Sequence, residues 1–192
     1  DAQIEEALTE LPNGMDAYYS RGRLILTLKR NREAIRWFER AEELSRGLHW
    51  QNLYFLAVAR LGDNQPGAAR DAISKAIADP SAPADCWILY SKILIAEDSP
   101  EDALRAADHA LVLAPGNQEA MLVRAAAQEK LGQEDIAKKT IFELTGDSPK
   151  FIAGQAAFIA GQGDLEEALS RIEVGLEKYP THPRIVETAA AV

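Results

Sequence analysis

The side chains best suited to chemistry in this chain are three histidines, one cysteine and several acidic pairs. A metal centre or an acid–base couple would need such groups to converge on one point. His49 lies just before a predicted helix, His109 on another helix, and His182 in a turn before Pro183. They fall in separate segments, so solvated histidines are expected rather than a shared site. Glu42-Glu43 and Glu166-Glu167 lie on predicted helix surfaces, where carboxylates serve solubility and helix-end electrostatics. Gly161-Gln162-Gly163 sits in a predicted turn, where glycine has an ordinary backbone role, and does not form a phosphate cradle. Cys86 has no basic neighbour in sequence to activate its thiol. A single cysteine also excludes an internal disulfide framework and most cysteine-ligated metal sites. No catalytic residue, metal ligand or cofactor is expected, and the chain reads as a non-enzyme.

The elements that carry these groups follow from periodicity. The clearest unit runs from Ala84 to Pro115. Trp87, Ser91 and Leu94 share one face of a first helix, Ala103, Ala107 and Ala110 line a second, and Pro115 closes the unit. With Ala84 as position 1, the pattern recurs from Gln118, with Met121, Ala125, Ala137, Ile141, Leu144 and Pro149. It recurs from Trp50 with Leu53, Ala57, Ala69, Ile73 and Ala76, and from Met15 with Tyr18, Gly22, Ala34, Phe38 and Ala41. A shortened step leads to Pro149, with Ile152, Ala156, Ala168, Ile172, Gly175 and Pro180. The repeats are therefore 15–49, 50–83, 84–117, 118–148 and 149–182.

Residues 1–14, with Ile4, Ala7, Leu8, Leu11 and Pro12, read as the second helix of a preceding unit. Residues 183–192, with Val186, Ala189 and Ala190, read as the first helix of a following one. About twelve helices in a single array over 1–192, with essentially no strand, are expected. Both ends read as cuts through an array, and a start at Asp1 rather than Met fits a processed or excised fragment.

Small residues at position 8 (Gly22, Ala57, Ser91, Ala125, Ala156) and position 20 (Ala34, Ala69, Ala103, Ala137, Ala168) let paired helices approach closely. Larger residues at positions 4 and 24 fill the gaps around them. Helix-boundary signals agree. Ser99 precedes Pro100 as an expected cap, and Asp164 with Glu167 resembles a capping box. Ser148-Pro149 starts a helix after Gly146 has ended the one before, and Asp79–Pro83 breaks the chain between units.

The formal charge of −9 is uneven: residues 1–50 carry 8 basic and 9 acidic side chains, residues 51–192 carry 13 and 21. This balance argues against non-specific binding to nucleic acid or anionic membrane. No stretch approaches the roughly 18 consecutive apolar residues of a spanning helix, so direct membrane insertion is not expected. Cytoplasm and periplasm both stay open. Arg21, Arg23, Arg30, Arg32, Arg36 and Arg40 make the first repeat arginine-rich. They form either a patch for an acidic partner or helix-surface pairs with Glu33, Glu39, Glu42 and Glu43, and pairing is the favoured reading.

The repeat length and the spacing of Trp87, Tyr90-Ser91, Leu94, Ala103, Ala107, Ala110 and Pro115 resemble the tetratricopeptide repeat (TPR). Departures are mild: Arg60 and Gln128 replace the usual aromatic at position 11. The resemblance implies an all-α, right-handed superhelix (solenoid) of antiparallel helix pairs, with a concave groove lined by first-helix positions 2, 5, 9, 12 and 13. It thereby points to Tyr19, Arg23, Tyr54, Val58, Ile88, Lys92 and Leu122 as groove residues. For Tyr19 and Tyr54, exposure in the groove and burial between neighbouring first helices both stay open. Burial is expected for Ala153 and Ala157. The clamp with which TPR co-chaperones hold acidic chaperone C-termini is absent, because Tyr19, Arg23, Phe55, Asp85 and Leu89 occupy its places.

The resemblance implies a non-enzymatic scaffold that binds a protein helix or peptide. By analogy it would be a segment of a larger bacterial protein of envelope assembly, secretion or polysaccharide export. The alternative is a substrate-selecting or regulatory arm of an enzyme whose catalytic domain lies outside this chain. Self-association through Ile4, Leu8 and Leu11 or through Ile185, Val186 and Ala189 is a further option.

Overall fold

A computed structural model of the chain describes residues 14–45, 49–142 and 149–192. Among them are eleven helices: α1 (Met15–Thr27), α2 (Asn31–Ser45), α3 (Trp50–Gly62), α4 (Pro66–Ile77), α5 (Ala84–Ala96), α6 (Pro100–Leu113), α7 (Gln118–Lys130), α8 (Glu134–Phe142), α9 (Pro149–Gly161), α10 (Leu165–Lys178) and α11 (Pro183–Ala191). The described residues contain no strand. The helix expected before Met15 falls on residues outside those described, as do Gly146 and Ser148. The chain divides into two compact units, Asp1–Glu97 and Asp98–Val192. The first holds α1–α5 and the second α6–α11.

Odd-numbered helices start at position 1 of the pattern and even-numbered ones at position 17. Between them, every repeat places its fifteenth residue in the left-handed backbone region: Lys29 (φ 57), Asn64 (φ 58), Asp98 (φ 57), Gly132 (φ 70) and Gly163 (φ 85). The next amide then reaches back five residues, as in Gln65 N to Arg60 O (2.8 Å) and Gln133 N to Gln128 O (2.9 Å). This is a Schellman turn, which satisfies carbonyls at the end of the first helix and reverses the chain. Glycine, asparagine and aspartate suit that conformation, whereas lysine does not.

Caps differ from expectation in one place. Ser99 precedes α6 but its side chain makes no capping bond. Asn117, not anticipated, accepts from Ala120 N at 3.0 Å. Asp164 does cap α10, through Glu167 N.

In the first unit, α2 folds back on α1, and α4 on α3, over Ile25, Ala34, Phe38, Leu53, Leu56, Ala57, Ala69 and Ile73, all essentially inaccessible. The α1–α2 contact is close at Gly22. A β-carbon at Gly22 would sit 2.6–2.9 Å from three atoms of the Phe38 ring, which is itself fully buried. Asn52 ties the next pair on, donating Nδ2 to Phe38 O at 2.8 Å. In the second unit, Ala125, Ala137, Ile141 and Phe151 form one cluster, and Ile152, Ala153 and Ile185 another. There Gln155 Nε2 donates to Ile141 O (3.1 Å), the counterpart of the Asn52 bond.

The two departures at position 11 find polar partners. Arg60 donates Nη1 to Ala68 O and pairs Nη2 with Glu39, both at 3.0 Å. Gln128 is buried and accepts from Thr140 Oγ1 at 3.0 Å. Each bridges the helices of its pair where other repeats bury Ile25, Leu94 or Ile159.

Two stability measurements check this packing. Gly22→Ala is expected to cost about 1–3 kcal/mol in denaturant unfolding, because the enclosed Phe38 ring must shift. Lys29→Gly is expected to raise stability by about 1 kcal/mol by relieving a left-handed lysine. Unchanged midpoints would contradict the two geometries in turn.

Candidate interaction surface

In the first unit, residues from α1 and α3 build an aromatic wall with a cation on it. Phe55 stands between the helices, stacked on Phe38 (6.2 Å between centroids), edge-on to Tyr19 (5.9 Å) and at right angles to Tyr54 (5.2 Å). Arg23, one turn beyond Tyr19, lays its guanidinium 5.6 Å from the Tyr19 centroid and 5.0 Å from that of Phe55. Both distances lie within cation–π range. Arg23 is exposed. A recess of about 180 Å³ beside Tyr19 is lined by Met15, Asp16, His49, Gln51 and Asn52.

Tyr19 and Tyr54 are half-buried and packed against the core, so their rings are neither free nor enclosed. Val58 is half-buried, and Lys92 is exposed on α5. Ile88 departs from expectation: it is only 3% accessible, as α5 is apolar on most of its faces and also buries Ile93 and Leu94. Leu122 belongs to the second unit, where it is half-buried against the Ala125–Phe151 cluster and lies over Gly154 of α9. Ala153 is buried as expected, but Ala157 is exposed. Phe55, which carries Arg23, was not among the expected groove residues. The signal for it was an aromatic next to Tyr54 with arginine one turn after tyrosine on the preceding first helix.

A second cluster lies on the other side of α1. Tyr18 stacks on Trp37 (5.8 Å, 21°), and the buried Arg21 sits over both rings at 5.6 and 5.2 Å. The arginine-rich repeat is paired only in part. Glu33 is held by Arg30, Glu43 by Arg40, Glu39 by Arg60 and Glu42 by Lys75.

His49 and His109 are exposed and His182 is half-buried, each on a different helix or helix cap. No group of three potential metal ligands occurs among the described residues. No described helix is long and apolar enough to cross a membrane. Cys86 is fully buried, and its pKa is pushed up to about 12 by loss of solvation, aided by the negative charges of Asp85 and Asp79. The folded state therefore favours the neutral thiol. Its contribution to stability is lost as pH rises from the ordinary thiol range, about 8.5, towards 12. The native protein at about pH 8 is expected to resist iodoacetamide and to react fully once unfolded. Rapid labelling of the folded chain would contradict that burial.

No protein-family model matches the chain, and no curated protein matches it in sequence. Solved structures do match it. TTC0263 from Thermus thermophilus, described as a thermophilic TPR protein, superposes with a TM-score of 0.78 at 22% identity, over 93% of this chain and 98% of that one. YrrB, described as a TPR protein with an unusual peptide-binding site, gives 0.65 at 17% identity over 98% of both chains. PilW, described as a widely conserved type IV pilus biogenesis factor, gives 0.74 at 18% identity over 97% of this chain and 87% of that one. With its all-helical repeats and these likenesses over nearly its whole length, the chain has the tetratricopeptide-repeat fold.

Proposed function

We propose that the chain is a non-enzymatic protein-interaction scaffold that binds a partner helix or extended peptide along its first helices. Arg23 is the observation that carries this reading. It is exposed, has its guanidinium within cation–π distance of Tyr19 and Phe55, and has no carboxylate partner among the described residues. A guanidinium pre-positioned on aromatic faces keeps its N–H edge for a carboxylate or carbonyl of a ligand, and loses little freedom on binding. Tyr54 and Val58 add apolar surface beside it, and the recess at Tyr19 has room for one side chain. Lys92 extends the proposed groove onto the third repeat, whereas the buried Ile88 supports it from behind. Leu122 holds the equivalent place in the second unit.

The descriptions of YrrB as peptide-binding and of PilW as a pilus biogenesis factor support this reading at the level of fold analogy. On the same analogy, a role in bacterial assembly, secretion or export is the process proposed.

Peptides selected from a displayed library on the full chain would test the groove. Their affinity is expected to fall about tenfold or more in Arg23→Glu and in Val58→Asp, with the helical circular dichroism unchanged. Selected peptides that bind both variants as tightly as the parent would overturn this assignment.

A further inference from the structure

A second positive surface lies on α2, away from the wall just described. Arg32, Arg36 and Arg40 recur every fourth residue and so share one face, opposite the stripe of Ala34, Phe38 and Ala41 that faces the core. All three are exposed. With Glu33 and Trp37 they line a cavity of about 530 Å³.

The charge there is poorly neutralised. Glu33, the one acid among the lining residues, is held by Arg30 at 2.7 Å. Arg32 reaches Asp63 only at 3.4 Å, with 81% of its side chain accessible. Arg40 pairs with the equally exposed Glu43. Arg36 has no carboxylate partner among the described residues. The Arg40–Glu43 pair is exposed on both sides and the Arg32–Asp63 pair is long, so both contribute little, and Arg32 and Arg40 can exchange their acids for those of a ligand.

We propose that this ladder docks an acidic helix of a partner protein, one that carries Glu or Asp at every fourth residue. Successive arginines of the ladder rise about 6 Å along the axis of α2, the same rise as that between such carboxylates on a helix laid alongside. Trp37, stacked on Tyr18, flanks the ladder and offers apolar contact to the stems of that helix. A short acidic helix meets only the ladder. The chain's net charge of −9 opposes the approach of a long polyanion. The charge distribution thus favours a protein helix over nucleic acid. This surface is separate from the Arg23 wall, and the two stand or fall independently.

The test uses a fluorescein-labelled, helix-forming peptide with Glu at every fourth residue and Ala or Gln between, titrated with the full chain and followed by anisotropy. Binding is expected, to weaken with added salt, and to fall about tenfold or more in Arg36→Glu. The same change of charge in Arg105→Glu, on α6, is expected to leave it nearly unaltered, and the peptide with Gln for Glu is expected not to bind. Circular dichroism reports whether each variant keeps its helices, and Arg36→Gln supplies a milder variant should Arg36→Glu unfold. Absence of binding, equal losses in the α2 and α6 variants, or equal affinity for a single-stranded oligonucleotide of matching charge would overturn the proposal.

Discussion

The structure of each unit depends on how closely two helices approach at a single crossing. Position 8 of the first helix and position 20 of the second carry small, buried residues, so larger residues must fill the space around them. In the first repeat this constraint runs outward to the surface. Gly22 leaves room for the Phe38 ring, Phe38 stacks on Phe55, and Phe55 with Tyr19 supports the guanidinium of Arg23. The exposed cation is thus held by a column of rings whose far end rests on the crossing. An arginine on a free helix surface would sample many rotamers, and this one has two aromatic faces to rest on.

The same logic explains why two polar residues are accepted inside the repeats. Position 11 lies where the first helix ends and its carbonyl receives the Schellman bond, as Arg60 O and Gln128 O both do. Its side chain projects between the paired helices. A buried polar group there is costly unless it is hydrogen-bonded. Arg60 meets Ala68 O and Glu39, and Gln128 meets Thr140. Asn52 and Gln155 follow the same rule one step further, each binding a carbonyl of the preceding second helix at the same repeat position, those of Phe38 and Ile141. Polar bridges at these points specify alignment, where an apolar contact would allow neighbouring helices to slide.

The helix starts were legible because repetition multiplies a weak signal. One Trp–Ser–Ala spacing is ambiguous, but small residues recurring at two fixed positions in five units leave one arrangement. The left-handed residue at position 15 was equally present, as Asn64, Asp98, Gly132 and Gly163, and is obvious once the turns are seen. Lys29 hid it in the first repeat. Ser99 misled in the opposite way, since the residue type of a cap says nothing about whether its hydroxyl turns towards the helix. The surface was harder to read. Position 5 identified Tyr19 and Tyr54 but could not fix their exposure, because that depends on what the neighbouring helix supplies. Ile88 was misread for the same reason, and Phe55 was passed over because a position-by-position reading does not show rings meeting across two helices.

Charge separates the two surfaces of the first unit more sharply than shape does. Arg23 is a single cation held on aromatic rings, suited to one anionic or carbonyl group within an otherwise apolar contact. The α2 ladder is an array of cations on solvated stems, suited to repeated carboxylates and sensitive to salt. On a chain of net charge −9, neither cation set serves solubility, which acidic side chains already supply. Arginine also brings a planar fork that lysine lacks, and the first repeat uses arginine at every one of these positions. Planar cations that are free or only weakly paired, on two faces of one unit, are what two distinct anionic contacts would require, one recognised by its apolar surroundings and the other by its spacing.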